Sequence, residues 1–261
     1  MRALFTAATG MEAQQLRIDN IANNLANIGT TGFKKTRAEF QDLFYEIMQT
    51  PGATSSTGEQ LPTGIQIGHG VKVSGTQRIF TQGDRTQTGR NLDMVIDGDG
   101  FFQVQRAGGE TVYTRDGSFK LDSQGNLVTA QGFQMIPGIQ VPTDTISLTI
   151  LDDGTVSALV AGSTAPSNLG QIELARFANP AGLRAVGNNF YAPSEASGDP
   201  ETGTPGLDGY GGITQGMLES SNVNVAEELV QMILAQRAFE LNSRVIQTGD
   251  QMLQAAAALA R

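Results

Sequence analysis

Ile18-Asp19-Asn20-Ile21-Ala22-Asn23-Asn24-Leu25-Ala26-Asn27-Ile28-Gly29 is the stretch on which the fold turns. Leu4, Met11, Ile18 and Leu25 recur every seven residues, and Ile21 and Ile28 fall three after Ile18 and Leu25. That spacing sets the apolar side chains at the a and d positions of a heptad, on one stripe of a helix. Gln14, Gln15, Arg17, Asp19, Asn20, Asn23 and Asn24 lie between them and make a polar, amide-rich back. Gly29 and Gly32 follow, and glycine readily takes the left-handed conformation that ends a helix. A helix of roughly 25 residues is roughly 38 Å long.

Such a seam needs a partner, and the other end of the chain offers one. Val225, Met232, Phe239, Ile246 and Leu253 also repeat every seven residues. Asn224, with Glu227 three residues on, has the form of a capping box. The run continues without proline to Leu259, roughly 50 Å at the usual rise. Its d positions are mixed: Leu229, then Gln236, Ser243, Asp250 and Ala257. Beside them runs a second apolar strip, Val230, Ile233, Leu234, Leu241, Val245, Met252 and Leu259. One two-stranded seam would leave that strip in water, which points to neighbours from other chains. An ordinary intramolecular hairpin is the other reading, and the pattern alone leaves both open.

The net charge is −9, and it is unevenly placed. Residues 1–45 carry five basic and four acidic side chains, and residues 222–261 carry three and four. Residues 46–221 carry nine and eighteen, so the whole imbalance lies in the middle. Near-neutral ends can pack on copies of themselves without strong self-repulsion, and an acidic exterior argues against nucleic acid. No run of 18 apolar residues spans a membrane, and no cleavable signal is evident. The chain has no cysteine, so no disulfide is expected.

Between the two ends, Phe40, Leu43, Phe44 and Ile47 have helical spacing but also strand-forming side chains. Gln49 to Gly64 reads as a polar loop. Residues 65 to 190 read as β structure, with strand-like runs at 65–67, 71–73, 93–96, 101–105, 112–114, 118–121, 127–129, 146–151, 155–159 and 171–177. Asp97-Gly98, Asp99-Gly100, Asp116-Gly117 and Asp153-Gly154 supply the positive φ of tight turns. Frequent strands without helices between them predict an antiparallel sandwich or partial barrel. Phe101, Phe102, Phe119, Phe133, Phe177 and Phe190 are the expected core. Tyr191 to Gly216, rich in Gly, Pro, Ser, Asp and Thr, predicts a loop or return strand.

Little here suggests catalysis. Asp97-x-Asp99-Gly100 fails as a calcium loop, because positions five and twelve are Phe101 and Gly108. His69, the only histidine, sits between glycines with no cysteine to join it in a zinc or nucleophile site. The acidic middle offers many carboxylates, none distinguished by its setting for a hydrolase. No metal, cofactor or enzymatic activity is expected.

Four ordered strings carry a resemblance. Ile18 to Lys35, ending Gly29-Thr30-Thr31-Gly32-Phe33-Lys34-Lys35, resembles the N-terminal signature of bacterial flagellar axial proteins of the rod and hook. Glu219-Ser220-Ser221-Asn222-Val223-Asn224-Val225-Ala226-Glu227-Glu228-Leu229-Val230 resembles that family's second signature. Asp97 to Val104 and Tyr113-Thr114-Arg115-Asp116-Gly117-Ser118-Phe119 are similar to its middle. The resemblance spans nearly the whole chain and fits members of the distal rod best.

It implies an α+β fold: paired long N- and C-terminal helices forming a coiled-coil-like domain, a central antiparallel β-rich domain and an extended linker region. The expected divisions are 1–35 with 222–261 for helical assembly, 36–84 as an arm with an inserted loop at 49–64, 85–190 as the outer β domain, and 191–221 as the return linker. The implied function is a structural subunit of the distal rod, polymerising into a hollow helical shaft that transmits torque and passes exported subunits. Export would run through the flagellum's own secretion channel, to a basal body reaching from periplasm to outer membrane. Expected partners are further copies, the proximal rod below, the hook above and surrounding ring proteins, with no nucleic acid and no membrane span. The expected assembly residues are Leu4, Met11, Ile18, Asn20, Ile21, Asn23, Asn24, Leu25, Asn27, Ile28, Val225, Leu229, Met232, Phe239, Ile246 and Leu253. In the inserted loop they are Pro51, Gly52, Ser55, Ser56, Leu61 and Pro62, filling space between neighbours. Asn20, Asn23, Asn24 and Asn27 form one stripe, either solvated or, as the resemblance favours, fixing helix register. A proximal rod or hook subunit is the nearest alternative. An ion- or carbohydrate-binding β module with dimerising helices is the alternative of another class.

Overall fold

The computed structural model describes residues 2–50, 63–163 and 165–259. The chain divides into two compact units. One gathers Met1–Leu25, Thr36–Gln77 and Asn224–Arg261; the other gathers Ala26–Lys35 and Arg78–Val223.

The first unit holds the two long helices, α1 (Arg2–Ala26) and α2 (Val225–Leu259). Asn224 caps α2: its Oδ1 accepts from the amides of Ala226 and Glu227 at 3.0 and 3.3 Å. Glu227 and Glu228 in the first turn complement the helix dipole. Residues Leu4, Gly10, Arg17 and Asn24 of α1 meet Gly249, Asn242, Gln231 and Glu228 of α2, so the helices run in opposite directions.

The expected coiled-coil-like domain does not form. Only two α-helices occur among the described residues besides one short 3-10 turn, and the regular structure between them is β-strand. Small and polar groups are among the α1–α2 contacts. A Cβ on Gly249 would lie 2.5 Å from Leu4, and one on Gly10 would lie 2.8 Å from the Asn242 amide. The d positions Gln236, Ser243 and Asp250 offer no apolar knob. Val225, Leu229 and Leu253 of the heptad remain 41–43% exposed.

The region expected as an extended linker is strand-paired. Its strands are β1 (Thr36–Asp42), β2 (Tyr45–Gln49), β3 (Ile65–Gly68) and β4 (Val71–Arg78). β1 pairs with β4, and β2 pairs with β3 through Tyr45–Gly68, Glu46–Ile67 and Ile47–Gln66. The aromatic and branched side chains therefore settle the ambiguous 40–47 stretch as strand, not helix.

The second unit is antiparallel β throughout. In chain order its strands are β5 (Arg85–Gln87), β6 (Met94–Asp97), β7 (Phe101–Gln105), β8 (Thr111–Thr114), β9 (Lys120–Leu121), β10 (Leu127–Val128), β11 (Gln134–Ile136) and β12 (Thr145–Ile150). They continue as β13 (Thr155–Val160), β14 (Ser167–Gln171), β15 (Leu174–Arg176), β16 (Arg184–Gly187), β17 (Phe190–Ala192), β18 (Glu201–Gly203), β19 (Gly212–Gln215) and β20 (Met217–Glu219). The main sheet runs β16-β17-β8-β7-β11-β10-β9, with β15 joining β7 and β18 joining β15. A second sheet runs β12-β13-β14, and β6 pairs with β19 as β5 does with β20.

Alternation along β7 makes two cores. Phe102 points into the larger one, with Met94, Ile96, Val104, Phe119, Leu127, Ile172 and Ile213. Phe101 points the other way, against Tyr113, Phe177 and Tyr191. Edge-to-face pairs hold both, at 5.2 Å for Phe102–Phe119 and 5.8 Å for Phe101–Phe177. Five of the six expected phenylalanines are buried there, and Phe133 is partly buried against the larger core. Strands run on through 190–219, where side chains gave little signal. They are held by backbone ladders such as Thr202–Ala175 and Thr214–Val95.

Candidate assembly surface

The most unusual surface lies on α2. Val230, Ile233, Leu234, Leu241, Val245 and Met252 are 47–64% exposed, although all six are large and apolar. At 100° per residue they fall on one strip along the helix, and a contiguous apolar strip in water marks a contact surface. Arg237 and Arg244 lie within that strip. This is the second apolar strip of the sequence, and it is the more exposed of the two.

The seam residues expected from the heptads are placed unevenly. Ile21 is buried; Leu4, Met11, Ile18, Leu25, Met232, Phe239 and Ile246 are half-buried; Ile28 is exposed. Asn24 is 2% exposed and does something the stripe did not suggest. Its Oδ1 accepts from Thr36 N and its Nδ2 donates to Thr36 O, both at 2.9 Å, so the side chain pairs with the start of β1 as a strand would. Asn20 contacts the Thr36 hydroxyl, and Asn27 Oδ1 accepts from Thr30 Oγ1 at 3.2 Å. Asn23 is exposed. Pro51, Gly52, Ser55, Ser56, Leu61 and Pro62 lie outside the described residues.

Within the second unit, the sequence reading missed a buried charge cluster. Lys34 follows α1, Glu219 ends β20 and Arg115 follows β8. Lys34 is 0% exposed, and its Nζ donates to Glu219 Oε1 at 2.5 Å and to Thr81 O at 2.8 Å. Gly83 N donates to the same Oε1 at 2.9 Å. Arg115 Nη1 stands 3.7 Å from Glu219 Oε2, while its Nη2 donates to Gly98 O at 2.8 Å. The guanidinium also lies 5.4 Å from the centre of the Phe101 ring. Burial lowers the Lys34 ammonium from its ordinary value, opposed by the charge of Glu219. Burial lowers Arg115 in the same way.

Asn222, three residues beyond Glu219, ties three passing segments together. Its Oδ1 accepts from Lys35 N at 2.7 Å, and its Nδ2 donates to Ile79 O and Thr81 O at 2.9 and 3.1 Å. Lys34, Arg115, Glu219 and Asn222 each come from one of the strings that carry the family resemblance. That membership was the one sequence signal available, since single charges in loops have no periodicity to reveal them.

None of this is catalytic geometry. Among the described residues no group of three or more His, Cys, Asp or Glu gathers to hold a metal. His69 Nδ1 lies 3.0 Å from Phe44 O on an exposed loop, and Asp97 pairs with Arg85 at 2.5 Å. No helix among the described residues is long and apolar enough to cross a membrane.

Comparison with known proteins covers the chain almost end to end. Residues 4–34 match the flagella basal body rod protein family, residues 95–158 the D1 domain of flagellar hook protein FlgE/F/G, and residues 214–259 the C-terminal region of the flagellar basal body rod FlgEFG protein. The flagellar basal-body rod protein FlgG of Borreliella burgdorferi is 51% identical over 97% of this chain and 96% of its own. Those of Agrobacterium fabrum and Bacillus subtilis are 46% and 39% identical, each over 97% of both chains.

Proposed function

The chain belongs to the flagellar basal-body rod protein family, as a structural subunit of the distal rod, and from that premise we propose how it is used. Copies associate through the first unit, with the outer strip of α2 as the principal seam, into an open-ended helical tube. A heterologous contact that does not close on itself generates such a filament. The tube is a hollow shaft, turning with the motor and passing later exported subunits along its bore. Other axial proteins abut its two ends and ring proteins surround it between periplasm and outer membrane. The acidic middle of the sequence keeps the assembled shaft soluble.

The observation that carries this reading is the exposed apolar strip on α2. Six large apolar side chains on one face are unfavourable in water, at roughly 25 cal/mol per Å² of apolar area left unburied. Sedimentation and electron microscopy of the purified chain across a concentration series test it. The wild type is expected to form straight tubes, whereas Leu234→Glu with Leu241→Glu stays monomeric. Tubes of the same yield from that double variant would refute the α2 seam.

A further inference from the structure

Burying the α2 strip raises a problem of charge. Arg237 and Arg244 stand in the middle of it, within about 40° of Val230 on the helical wheel. A buried guanidinium is costly unless a carboxylate and hydrogen bonds meet it. Among the described residues Arg237 pairs with Glu240 on its own helix, at 3.0 Å with both side chains largely exposed. The guanidinium of Arg244 has no ion-pair partner among the described residues. The occupant of the strip must therefore bring anions at the spacing of residues 237 and 244.

The outer face of α1 has that pattern. Phe5, Ala8, Glu12, Gln15, Asp19, Ala22 and Ala26 are exposed and share one side of the helix. Its only charges are Glu12 and Asp19, seven residues apart, as Arg237 and Arg244 are. Seven residues are about 10.5 Å along a helix, so the two ladders match in either direction of packing. Arg2, the nearby cation of α1, is already engaged by Glu46 at 2.9 Å. Gln15 Nε2 donates to Asp19 Oδ1 at 3.0 Å, which orients that carboxylate. Sizes complement as well: alanines at 8, 22 and 26 leave room for the leucines, isoleucine and valines of the α2 strip.

Resting on the self-assembly reading above, we infer that the α2 strip is occupied by the outer face of α1 from a second copy, with Glu12 and Asp19 meeting Arg237 and Arg244. Apolar contact supplies attraction, and the paired charges set register and reject a misaligned or unrelated helix.

Charge exchange tests it on the full-length chain. Arg237→Glu with Arg244→Glu, and separately Glu12→Arg with Asp19→Arg, should each raise the concentration needed for assembly at least about tenfold. Combining all four should restore assembly to within about threefold of wild type, because the ladder is rebuilt with its signs reversed. Circular dichroism checks that each variant keeps its helix content. The neutral pairs Arg237→Gln with Arg244→Gln and Glu12→Gln with Asp19→Gln provide milder versions with the same expected direction. If the reversals assemble like wild type while Leu234→Glu with Leu241→Glu does not, the charge ladder is wrong and the seam stands. Should all of them assemble like wild type, the seam itself is wrong. Loss of assembly in both reversals without recovery in the fourfold variant would overturn the pairing of α1 with α2.

Discussion

Replacing Glu219 by glutamine is the most informative single change inside the β unit. The amide keeps the shape and can still accept from Lys34 and Gly83, but the charge facing Lys34 and Arg115 is gone. Lys34 is 0% exposed and Arg115 is 3% exposed, so neither cation can turn to water without unfolding the segment around it. Removing one partner of a buried ion pair costs about 3–5 kcal/mol. For a unit of this size each kcal/mol shifts Tm by about 2–4 °C, so the transition should fall by roughly 6–20 °C. Lys34→Met should be milder, because Glu219 still faces Arg115 at 3.7 Å. Differential scanning calorimetry of the full chain is the assay, since the absence of tryptophan removes the usual fluorescence probe. A Glu219→Gln variant within about 0.5 kcal/mol of wild type would refute the reasoning. So would a Lys34→Met variant less stable than Glu219→Gln.

Further outcomes follow from the same contacts. Burial lowers Lys34 from 10.5, so the native state binds fewer protons there than the unfolded chain, and this site's contribution to stability rises with pH between the lowered value and 10.5. In Glu219→Gln the opposing attraction is lost, so urea unfolding should show the gap to wild type narrowing between pH 7 and pH 10. Asn222→Ala removes side-chain bonds to Lys35, Ile79 and Thr81 and should cost about 2–4 kcal/mol by calorimetry. Asn24→Ala should cost about 1–3 kcal/mol and speed hydrogen exchange at the Thr36 amide, which it now caps. Gly117→Ala puts a Cβ 1.7 Å from Met94 O and should destabilise by at least about 3 kcal/mol, while Gly75→Ala, with nothing within 4 Å, serves as the mild control.

Periodicity made the two helices legible, and turn chemistry made the middle of the β unit legible. Heptad spacing located α1 and α2 because each has a stripe to hide, and Asn224 marked the start of α2 as expected. The same spacing misled about pairing. α1 and α2 also touch through Gly10–Asn242, Arg17–Gln231 and Asn24–Glu228, and these leave no apolar periodicity to read. Strands β18 to β20, in and beside a stretch read as a loop or return strand, were not located one by one for a related reason: short segments stabilised by backbone ladders carry few core side chains beyond Ile213. The Lys34–Glu219–Arg115 cluster is long-range by nature, joining residues 34, 115 and 219, and only contact in three dimensions reveals it. Six of the seven residues of the second apolar strip on α2 are exposed as its spacing suggested, Leu259 lying outside the described side chains, and that exposure was the reason to expect neighbours.

Labelling of single cysteines reads the burial of that strip most directly. The chain has no native cysteine, so a cysteine introduced at Leu241 or Val245 is the only thiol in the molecule. Each variant is exposed to a maleimide before and after assembly, beside a control at Ala107 on the exposed tip between β7 and β8. The account predicts fast labelling of all three in the monomer, and loss of labelling at 241 and 245 alone in the assembled tube. Equal reactivity at 241 and 245 before and after assembly would contradict it, because the strip would then face solvent in the rod.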